Sequence, residues 1–296
     1  MDVPHDRRPI VVGVDRSASA RDAALWAADI AAARGHPLQV VHTTTGPVGV
    51  PPAWLNDIVE AACAIGARPT TVDIVRGKVL EVLLRRSRRA LLVVVGSYGA
   101  EAARGLQVGS TALGLTAQAP CSVAVVRGSE AGRPAPRSGP IVVGVDGTST
   151  SAHALGLAAD LAAALRARLV AVHTWSDIAV DDAGGMHRTD ASWSELADDA
   201  ARVLDEQLTA VANRHSGLGV ERQIVGDSPL RALLELAPTA RMVIVGQREH
   251  PPAGGMSLGS TSRGLVEFAP CPVLISRPST SSGTAEASVK SLGAST

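Results

Sequence analysis

Short runs of apolar residues alternate along the chain with segments in which apolar residues recur every three or four positions. Residues 10–14 read IVVGV, a continuous apolar run typical of a parallel strand that is buried on both faces. The segment that follows places five apolar residues on one helical face, namely Ala23, Trp26, Ala27, Ile30 and Ala31. Such alternation predicts right-handed β-α-β units and an open parallel sheet with helices on both faces.

The same alternation continues to about residue 126. Further strands are predicted at residues 38–42, 71–75, 91–95 and 121–126. Helices are predicted to begin at Val79 and Ser110. The carboxyl ends of parallel strands meet at one edge of a sheet, and ligands bind beyond that edge.

The chain contains this pattern twice. Residues 10–15 and 141–146 both read IVVGVD, an offset of 131, whereas the GST tripeptides at 109–111 and 259–261 are 150 residues apart. The second copy therefore has an insertion of about 19 residues between its second and third strands. Residues 176–192, rich in Asp and Gly, are the candidate for the insertion and are predicted to form a surface loop.

The repeat predicts two domains, at residues 1–128 and 140–277, which agrees with a length of 296 residues. Residues 129–139, SEAGRPAPRSG, are predicted to be an exposed linker. The Ser-, Thr-, Gly- and Ala-rich tail at residues 278–296 has too little hydrophobicity to order itself, so we expect it to be disordered.

Composition narrows the possible functions. Apolar residues make up 46% of the chain and aromatic residues only 2%, so the cores must consist of Ala, Val, Leu and Ile. The 28 basic and 28 acidic residues cancel, which argues against a nucleic acid partner. Lys78 and Lys290 are the lysines of the chain, and neither follows a GxxxxG run, so a Walker A loop is excluded.

The cysteines and the absence of long apolar runs indicate a cytoplasmic protein. Cys63, Cys121 and Cys271 are odd in number and too few for a disulfide framework, which favours a reducing compartment. The sequence has no apolar signal region at its start and no run of 18 apolar residues, so no association with a membrane is expected.

In each copy an Asp follows the first predicted strand and a His ends the second. Asp15 and Asp146 could accept hydrogen bonds from a ribose or hold a metal ion, but they could equally be turn or capping residues. His42 and His173 end the second strands. A single histidine without a partner is weak evidence for acid–base catalysis, which favours a structural role for both.

A glycine-rich segment follows the fourth strand of the first copy. Gly96 and Gly99 are separated by two residues, and nine more residues precede Gly109 and Ser110. Gly96 is expected to let the chain turn off the strand, and Gly99 to let the backbone approach a ligand closely. Gly109 and Ser110 open a helix, whose free N–H groups and positive dipole end favour a phosphate group.

The spacing G-x2-G-x9-G-[ST] resembles the ATP-binding signature of the universal stress protein family, and residues 96–110 match it completely. The opening VVGVDxS at residues 11–17 and Gly77 before a helix are also similar to that family. The resemblance covers about residues 8–128 and 140–277. It implies two tandem Rossmann-like α/β domains, each an open five-stranded parallel sheet with ATP at its carboxyl edge, that pair through their last strands.

The resemblance also implies a set of ATP-binding residues. In the first copy they are Asp15, Val41, Gly96, Gly99, Gly109, Ser110 and Thr111, and in the second Asp146, Val172, Gly246, Gly259, Ser260 and Thr261. Each copy departs from the family pattern in a different place. Arg16 and Ala20 replace a Gly and a Ser in the first copy. In the second copy Glu249 stands at the position of Gly99, and we expect its carboxylate to weaken phosphate binding there.

From this resemblance we expect an ATP-binding regulatory protein of the stress response, with Mg²⁺ accompanying the ATP. The sequence shows no activated nucleophile, general base or Walker lysine, so we expect at most slow hydrolysis and no role as an enzyme. Two alternatives stay open: an adenine-nucleotide-processing enzyme of a related Rossmann-like fold, and a nucleotide-free scaffold that acts through protein partners.

The expected partners are ATP, an unidentified regulatory protein, and a second copy of the domain. The apolar runs at residues 121–126 and 271–275 would leave exposed sheet edges, which natural proteins avoid. An antiparallel contact between these runs would cover both edges. The domains are therefore expected to form either an internal pseudo-dimer or a homodimer.

Overall fold

The computed structural model describes residues 7–99, 108–127, 134–176, 178–180, 186–188, 192–247 and 258–278. The first copy comprises β1 (Ile10–Val14), α1 (Ala18–Arg34), β2 (Leu38–Thr44), α2 (Ala53–Ile65), β3 (Thr70–Arg76), α3 (Val79–Ser87), β4 (Leu92–Gly96), α4 (Ser110–Gln118) and β5 (Ser122–Val126). The second comprises β6 (Ile141–Val145), α5 (Ser149–Leu165), β7 (Leu169–Thr174), β8 (Ile178–Val180), β9 (Met186–Arg188), α6 (Trp193–Arg214), β10 (Val220–Val225), α7 (Pro229–Leu236), β11 (Met242–Gly246), α8 (Ser260–Phe268) and β12 (Val273–Ser276).

The two copies share one ten-stranded sheet, in the order β10-β7-β6-β11-β12-β5-β4-β1-β2-β3. Within each copy all five strands are parallel, which confirms the predicted sheet of each domain. At the centre, β12 pairs antiparallel with β5, with Leu274 opposite Ala124. The antiparallel contact expected between the two final strands is therefore present within one chain, and it leaves neither strand as an exposed edge.

Helices cover both faces of the sheet. Alternate residues of β1 point to opposite layers, with Val12 packed beneath one layer and Val11 beneath the other. The layer formed by α1, α2, α5 and α6 buries Trp26 and Leu155, and the layer formed by α3, α4, α7 and α8 buries Leu115. Helices α1 and α5 pack against each other across the junction of the two domains.

Two arginines make equivalent contacts across that junction. Arg127 follows β5 and donates to the backbone carbonyl of Glu267 in the last turn of α8, at 2.7 Å. Arg277 follows β12 and donates to the carbonyl of Thr116 in the last turn of α4, at 2.5 Å. Each guanidinium therefore complements the carboxyl end of a helix in the other domain.

The region between the second and third strands differs most from the sequence prediction. Helix α2 was not predicted, although Leu55, Ile58 and Ala62 are buried at helical spacing. Residues 176–192 were predicted to be a loop, but β8 and β9 pair there as an antiparallel hairpin. Helix α6 is the counterpart of α2 in the second copy, and it has 22 residues where α2 has 13. About half of the insertion therefore lengthens this helix.

Parts of the predicted linker and tail lie outside the described residues, namely 129–133 and 279–296.

The end of β4 lies unusually close to the first turn of α1. A Cβ atom at Gly96 would lie 2.8 Å from the carbonyl carbon of Ser19, and one at Gly246 would lie 2.8 Å from the carbonyl oxygen of Thr150. The backbone N–H of Ser97 donates to the Ser19 hydroxyl at 2.9 Å. Gly96 is therefore required by close packing of strand on helix, and not by the turn that the sequence analysis assigned to it.

The first prediction tests this packing. Gly96→Ala should lower the free energy of unfolding by about 1–3 kcal/mol, because the added methyl group overlaps backbone atoms of α1. Chemical denaturation without ligand measures the effect. Gly217→Ala is the control, since a Cβ atom there would meet nothing within 4 Å. Equal unfolding free energies for the two variants would contradict the packing argument.

The second prediction tests the central strand pair. Leu274 is 1% exposed and lies opposite Ala124. Leu274→Ala should lower the unfolding free energy by about 2–5 kcal/mol, because it removes buried contacts and leaves a cavity at the junction. Val50→Ala, at a side chain that is 91% exposed, is the control and should have little effect. A Leu274 variant as stable as this control would show that the junction does not contribute to folding.

Candidate functional site

The predicted binding residues lie toward the carboxyl ends of the parallel strands of each domain. In the first domain β1 lies between β2 and β4, and in the second β6 lies between β7 and β11. The helices that follow β1 and β4 cover opposite faces of the sheet. A crevice therefore forms where the strand order reverses, which is the usual position of ligands on such sheets.

The crevice of the second domain is a cleft of about 600 Å³. Its walls include all six residues predicted for this copy, namely Asp146, Val172, Gly246, Gly259, Ser260 and Thr261. The volume lies within the range of small-molecule sites. The structure thus brings together residues that are up to 115 positions apart in the sequence.

Asp146 is held in a fixed position at the floor of this cleft. Its Oδ1 accepts hydrogen bonds from the backbone N–H of Thr148 at 3.1 Å and from the Thr148 hydroxyl at 2.6 Å. Burial acts to raise the pKa of Asp146, but the hydrogen bonds from Thr148 and Ser151 outweigh it and lower the pKa below its ordinary value. The carboxylate is therefore ionised at neutral pH.

The corresponding residues of the first domain also converge. The backbone N–H of Ser17 donates to Asp15 Oδ1 at 2.9 Å, and a Cβ atom at Gly99 would lie 3.0 Å from Asp15 Oδ2. The N–H of Gly109 donates to the carbonyl of Ser97 at 2.8 Å. The ends of β1 and β4 and the start of α4 therefore meet at one place.

The two valines of the predicted set have buried side chains. Val41 is 1% exposed and Val172 2% exposed, and both belong to the apolar core beneath α3, α4, α7 and α8. Val41 pairs with Gly13, and Val172 with Gly144. Each valine is also paired on its other side, Val41 with Asp73 and Val172 with Gln223, so both lie inside the sheet.

The helices after β4 and β11 begin at glycines that the protein fold itself does not require. Gly109 has φ −62° and ψ 148°, and Gly259 has φ −59° and ψ 157°, conformations open to any residue. A Cβ atom at Gly109 would come no closer than 3.7 Å to another residue, and one at Gly259 would meet nothing within 4 Å. With respect to the described residues, the space in front of both helices is therefore open.

The first turns of these two helices also lack side-chain caps. Neither Gly109 nor Gly259 can supply one, so among the described residues no side chain accepts from the N–H groups at the starts of α4 and α8. By contrast, Ser17 caps α1 and Thr148 caps α5 at the same edges. The open space at α4 and α8 thus coincides with unsatisfied donors and the positive end of a helix dipole.

Both strand-end histidines make the same structural contact. His42 Nδ1 lies 2.9 Å from the carbonyl oxygen of Val14, and His173 Nδ1 lies 2.7 Å from that of Val145. Because a carbonyl only accepts, Nδ1 carries the proton in each contact. The His42 ring also packs edge-on against Trp54, with centroids 5.0 Å apart. Both histidines join the end of the second strand to the end of the first.

The second domain has a polar network that the sequence analysis missed. Ser151 Oγ donates to the carbonyl of Thr148 at 3.0 Å and lies 3.3 Å from Gln207 Oε1. Gln207 Nε2 also donates to the Thr148 carbonyl, at 3.2 Å. The first domain has Ala20 in place of Ser151 and cannot form the same network. A Gln among the apolar residues of α6 was the available signal.

The turn after the first strand explains the other departure between the copies. Gly147 has φ +83°, in the left-handed region that favours glycine. Arg16 occupies the equivalent position of the first domain and does not have a positive φ. The two domains therefore shape this turn differently. Glu249, which we expect to weaken the second site, lies outside the described residues.

Within the described ranges, no group of three or more His, Cys, Asp or Glu side chains is arranged to hold a metal ion by itself. A magnesium ion at either cleft would need oxygen ligands from the bound nucleotide in addition to Asp15 or Asp146.

Among the helices that the structure describes, none is both long and apolar enough to cross a membrane.

Comparison with known proteins agrees with the tandem arrangement. The model of the universal stress protein family matches residues 6–57, 55–127 and 138–277. Universal stress protein Rv2623 of Mycobacterium tuberculosis strain H37Rv is 33% identical over 292 residues, covering 91% of this chain and 96% of the relative. Universal stress protein Rv2005c of the same strain is 34% identical, covering 94% and 100%.

Two solved structures show the same fold along nearly the whole chain. A universal stress protein from Archaeoglobus fulgidus superposes with a TM-score of 0.64 at 17% identity, covering 92% of this chain and 99% of the other. A functionally unknown protein from Pseudomonas aeruginosa gives a TM-score of 0.66 at 14% identity, covering 93% and 94%. With the family match and the curated relatives, these likenesses show that the chain belongs to the universal stress protein family.

Proposed function

We propose that this protein binds ATP at the carboxyl edges of its domains and acts as a regulatory protein of the stress response. The observation that carries the proposal is the pair of glycines at the starts of α4 and α8. Gly109 and Gly259 have ordinary dihedral angles and open space where a side chain would be. Neither backbone conformation nor packing within the described residues requires glycine there, whereas the close approach of a phosphate would.

The helix starts supply the chemistry that a phosphate chain needs. Unsatisfied N–H groups and the helix dipole attract anions at this position. Ser110 and Ser260 are exposed at the first helical position, and the partly exposed Thr111 and Thr261 follow them. Their hydroxyl groups add donors beside the backbone. The proposed phosphate site of each domain thus consists of one glycine, two hydroxyl residues and a helix terminus.

The opposite wall of each cleft suits the nucleoside. Asp146 is ionised and fixed by Thr148, so it can accept hydrogen bonds from a ribose. It could instead contribute a carboxylate oxygen to Mg²⁺ held by the phosphates, as Asp15 could in the first domain. Val172 belongs to the wall of the second cleft, where an adenine ring could pack, and Val41 is its counterpart in the first domain.

We propose that binding far exceeds hydrolysis. The Nδ1 atom of both His42 and His173 is engaged by a carbonyl group, which favours structural roles for the two rings. Lys78, the lysine among the described residues, is exposed and lies 3.5 Å from Glu81. These features support a binding protein over the alternative of a nucleotide-processing enzyme, which would need an activated water or nucleophile at the phosphates.

The pairing of β5 with β12 affects which partners we propose. Because β5 and β12 already cover each other, a homodimer is not needed to protect the final strands. We propose that the chain acts as an internal pseudo-dimer and that a regulatory protein partner recognises its nucleotide-bound form. Mass spectrometry of nucleotide that copurifies with the chain would separate this proposal from that of a nucleotide-free scaffold, which would retain none.

The third prediction tests the phosphate sites. Gly109→Ala and Gly259→Ala should each weaken Mg-ATP binding at their own site by about fivefold to 150-fold, the equivalent of a steric cost of about 1–3 kcal/mol. Isothermal titration calorimetry measures affinity and stoichiometry. Gly217→Ala, which also adds a methyl group in open space, is the matched control. ATP affinity unchanged in both site variants would place the nucleotide elsewhere.

The fourth prediction concerns turnover. Ordinary enzymes turn over about 1–1000 times per second, and we expect phosphate release from ATP here to be far below 1 per second. The assay measures phosphate release at saturating Mg-ATP, and Gly109→Ala combined with Gly259→Ala reports any contaminating activity. Release at ordinary enzyme rates that disappears in the double variant would favour the enzyme alternative.

A further inference from the structure

A second cavity lies where the two domains meet. It has a volume of about 330 Å³ and shares no wall residue with the cleft of the second domain. The first domain contributes apolar side chains that include Ile10, Ile30 and Leu92, and the second contributes Leu157 and Leu274. The volume lies at the lower end of the range for small-molecule sites, and apolar walls are typical of them.

The same cavity carries an excess of positive charge. Four arginines line it, namely Arg8, Arg34, Arg214 and Arg277. One carboxylate, Asp160, also lines it, and it is already engaged by Arg34 at 3.5 Å and by His215 Nε2 at 3.0 Å. Within the described part of the chain, the other three arginines form no ion pair with a carboxylate.

Arg277 is the most enclosed of the three unpaired arginines. One of its terminal nitrogens donates to the carbonyl of Thr116, but its Nε is buried without a hydrogen-bond partner among the described residues. Burial lowers the pKa of Arg277 to about 10, so the group stays charged at neutral pH. A buried charged donor without an acceptor is costly, and an anion in the cavity would relieve that cost.

Arg8 and Arg277 both exert an electrostatic effect on Cys121 in the cavity wall. Burial raises the pKa of the Cys121 thiol to about 11, and the positive charges of Arg277 and Arg8 partly oppose that rise. Both guanidinium groups are therefore within electrostatic reach of one sulfur atom that lines the cavity. An anionic group near Cys121 would be attracted by both arginines.

A glycine in the middle of a helix keeps the cavity open. Gly156 lies within α5, where glycine is less favourable than alanine. A Cβ atom at Gly156 would meet only the tip of Arg214, at 3.6 Å, so the surrounding packing does not require glycine. The missing side chain instead leaves free volume in the wall.

The opposite end of the domain junction shows the contrasting arrangement. Asp29 lies 131 positions before Asp160 and is its equivalent in the repeat. It is paired with Arg137 at 3.0 Å and with Arg241. Carboxylate and guanidinium groups therefore neutralise each other at that end, whereas positive charge remains in excess around the cavity.

We propose that this cavity binds a small organic anion, with its apolar part among the aliphatic side chains and its carboxylate at Arg277 and Arg8. Charge complementarity selects the anion, because the described walls offer unpaired guanidinium groups and no free carboxylate. The apolar walls select an aliphatic body over an inorganic ion. This site is separate from the proposed ATP sites and does not depend on them.

Calorimetry on the full chain tests the proposal, with octanoate as the probe. We expect saturable binding at one site per chain, with 1-octanol and inorganic phosphate each at least about tenfold weaker, since one lacks the charge and the other the apolar body. Octanoate that does not bind saturably, or 1-octanol that binds as tightly as octanoate, would overturn the proposal.

Variants assign the binding to this cavity. Arg277→Gln should weaken octanoate binding by about tenfold. Arg127→Gln should leave it unchanged, and it is a matched control because Arg127 makes the equivalent contact across the junction and does not line the cavity. Equal octanoate affinity in these two variants would overturn the proposal.

A further variant covers the case in which Arg277→Gln disrupts folding. Gly156→Leu fills the cavity from a helix position that has room for a side chain, so it should abolish octanoate binding while thermal stability is retained. ATP binding by the same protein serves as a control for the integrity of the clefts. Octanoate binding that survives in a folded Gly156→Leu variant would exclude this cavity.

Discussion

The antiparallel pairing of β5 with β12 determines how the rest of the molecule is arranged. Because these strands run in opposite directions, the carboxyl edge of one domain lies at the same side as the amino edge of the other. The two proposed nucleotide clefts therefore lie at opposite ends of the strands of one sheet. The same pairing brings α1 against α5 and sets the last strand of each domain beside the last helix of the other, which Arg127 and Arg277 then contact.

Glycines of the motif after β4 serve two different physical purposes. Gly96 and its counterpart Gly246 allow a strand to lie against the backbone of a helix, so their replacement is expected to affect stability. Gly109 and Gly259 face open space, so their replacement is expected to affect a ligand. The sequence motif does not distinguish these two roles. The structure does, because the atoms around each absent Cβ show whether the glycine is needed for packing or leaves room for a ligand.

The sequence predicts the parts of this fold that depend on local pattern. The inner strands were predictable because they are short, mainly apolar runs between turn residues, and their shared carboxyl edge placed Asp146, Gly259 and Ser260 together. Helix α2 was missed although its apolar residues recur at helical spacing, because it follows a Pro- and Gly-rich segment. The Ser151–Gln207 network and the junction cavity depend on how α5 meets α6 and α1. The only local signal for the network is Gln207 among the apolar residues of α6, and the cavity has no signature in local sequence.

Gln207 connects the wall of the junction cavity to residues that line the second cleft. Its side chain bonds Thr148 and Ser151 at the start of α5, and it also forms part of the cavity wall. A ligand that displaced Gln207 would remove both hydrogen bonds and loosen the turn that fixes Asp146. The first cleft would not respond in the same way, because Ala20 replaces Ser151 there. Coupling between sites requires such a difference in contacts, so any effect of a cavity ligand should reach the proposed nucleotide site of the second domain and spare that of the first.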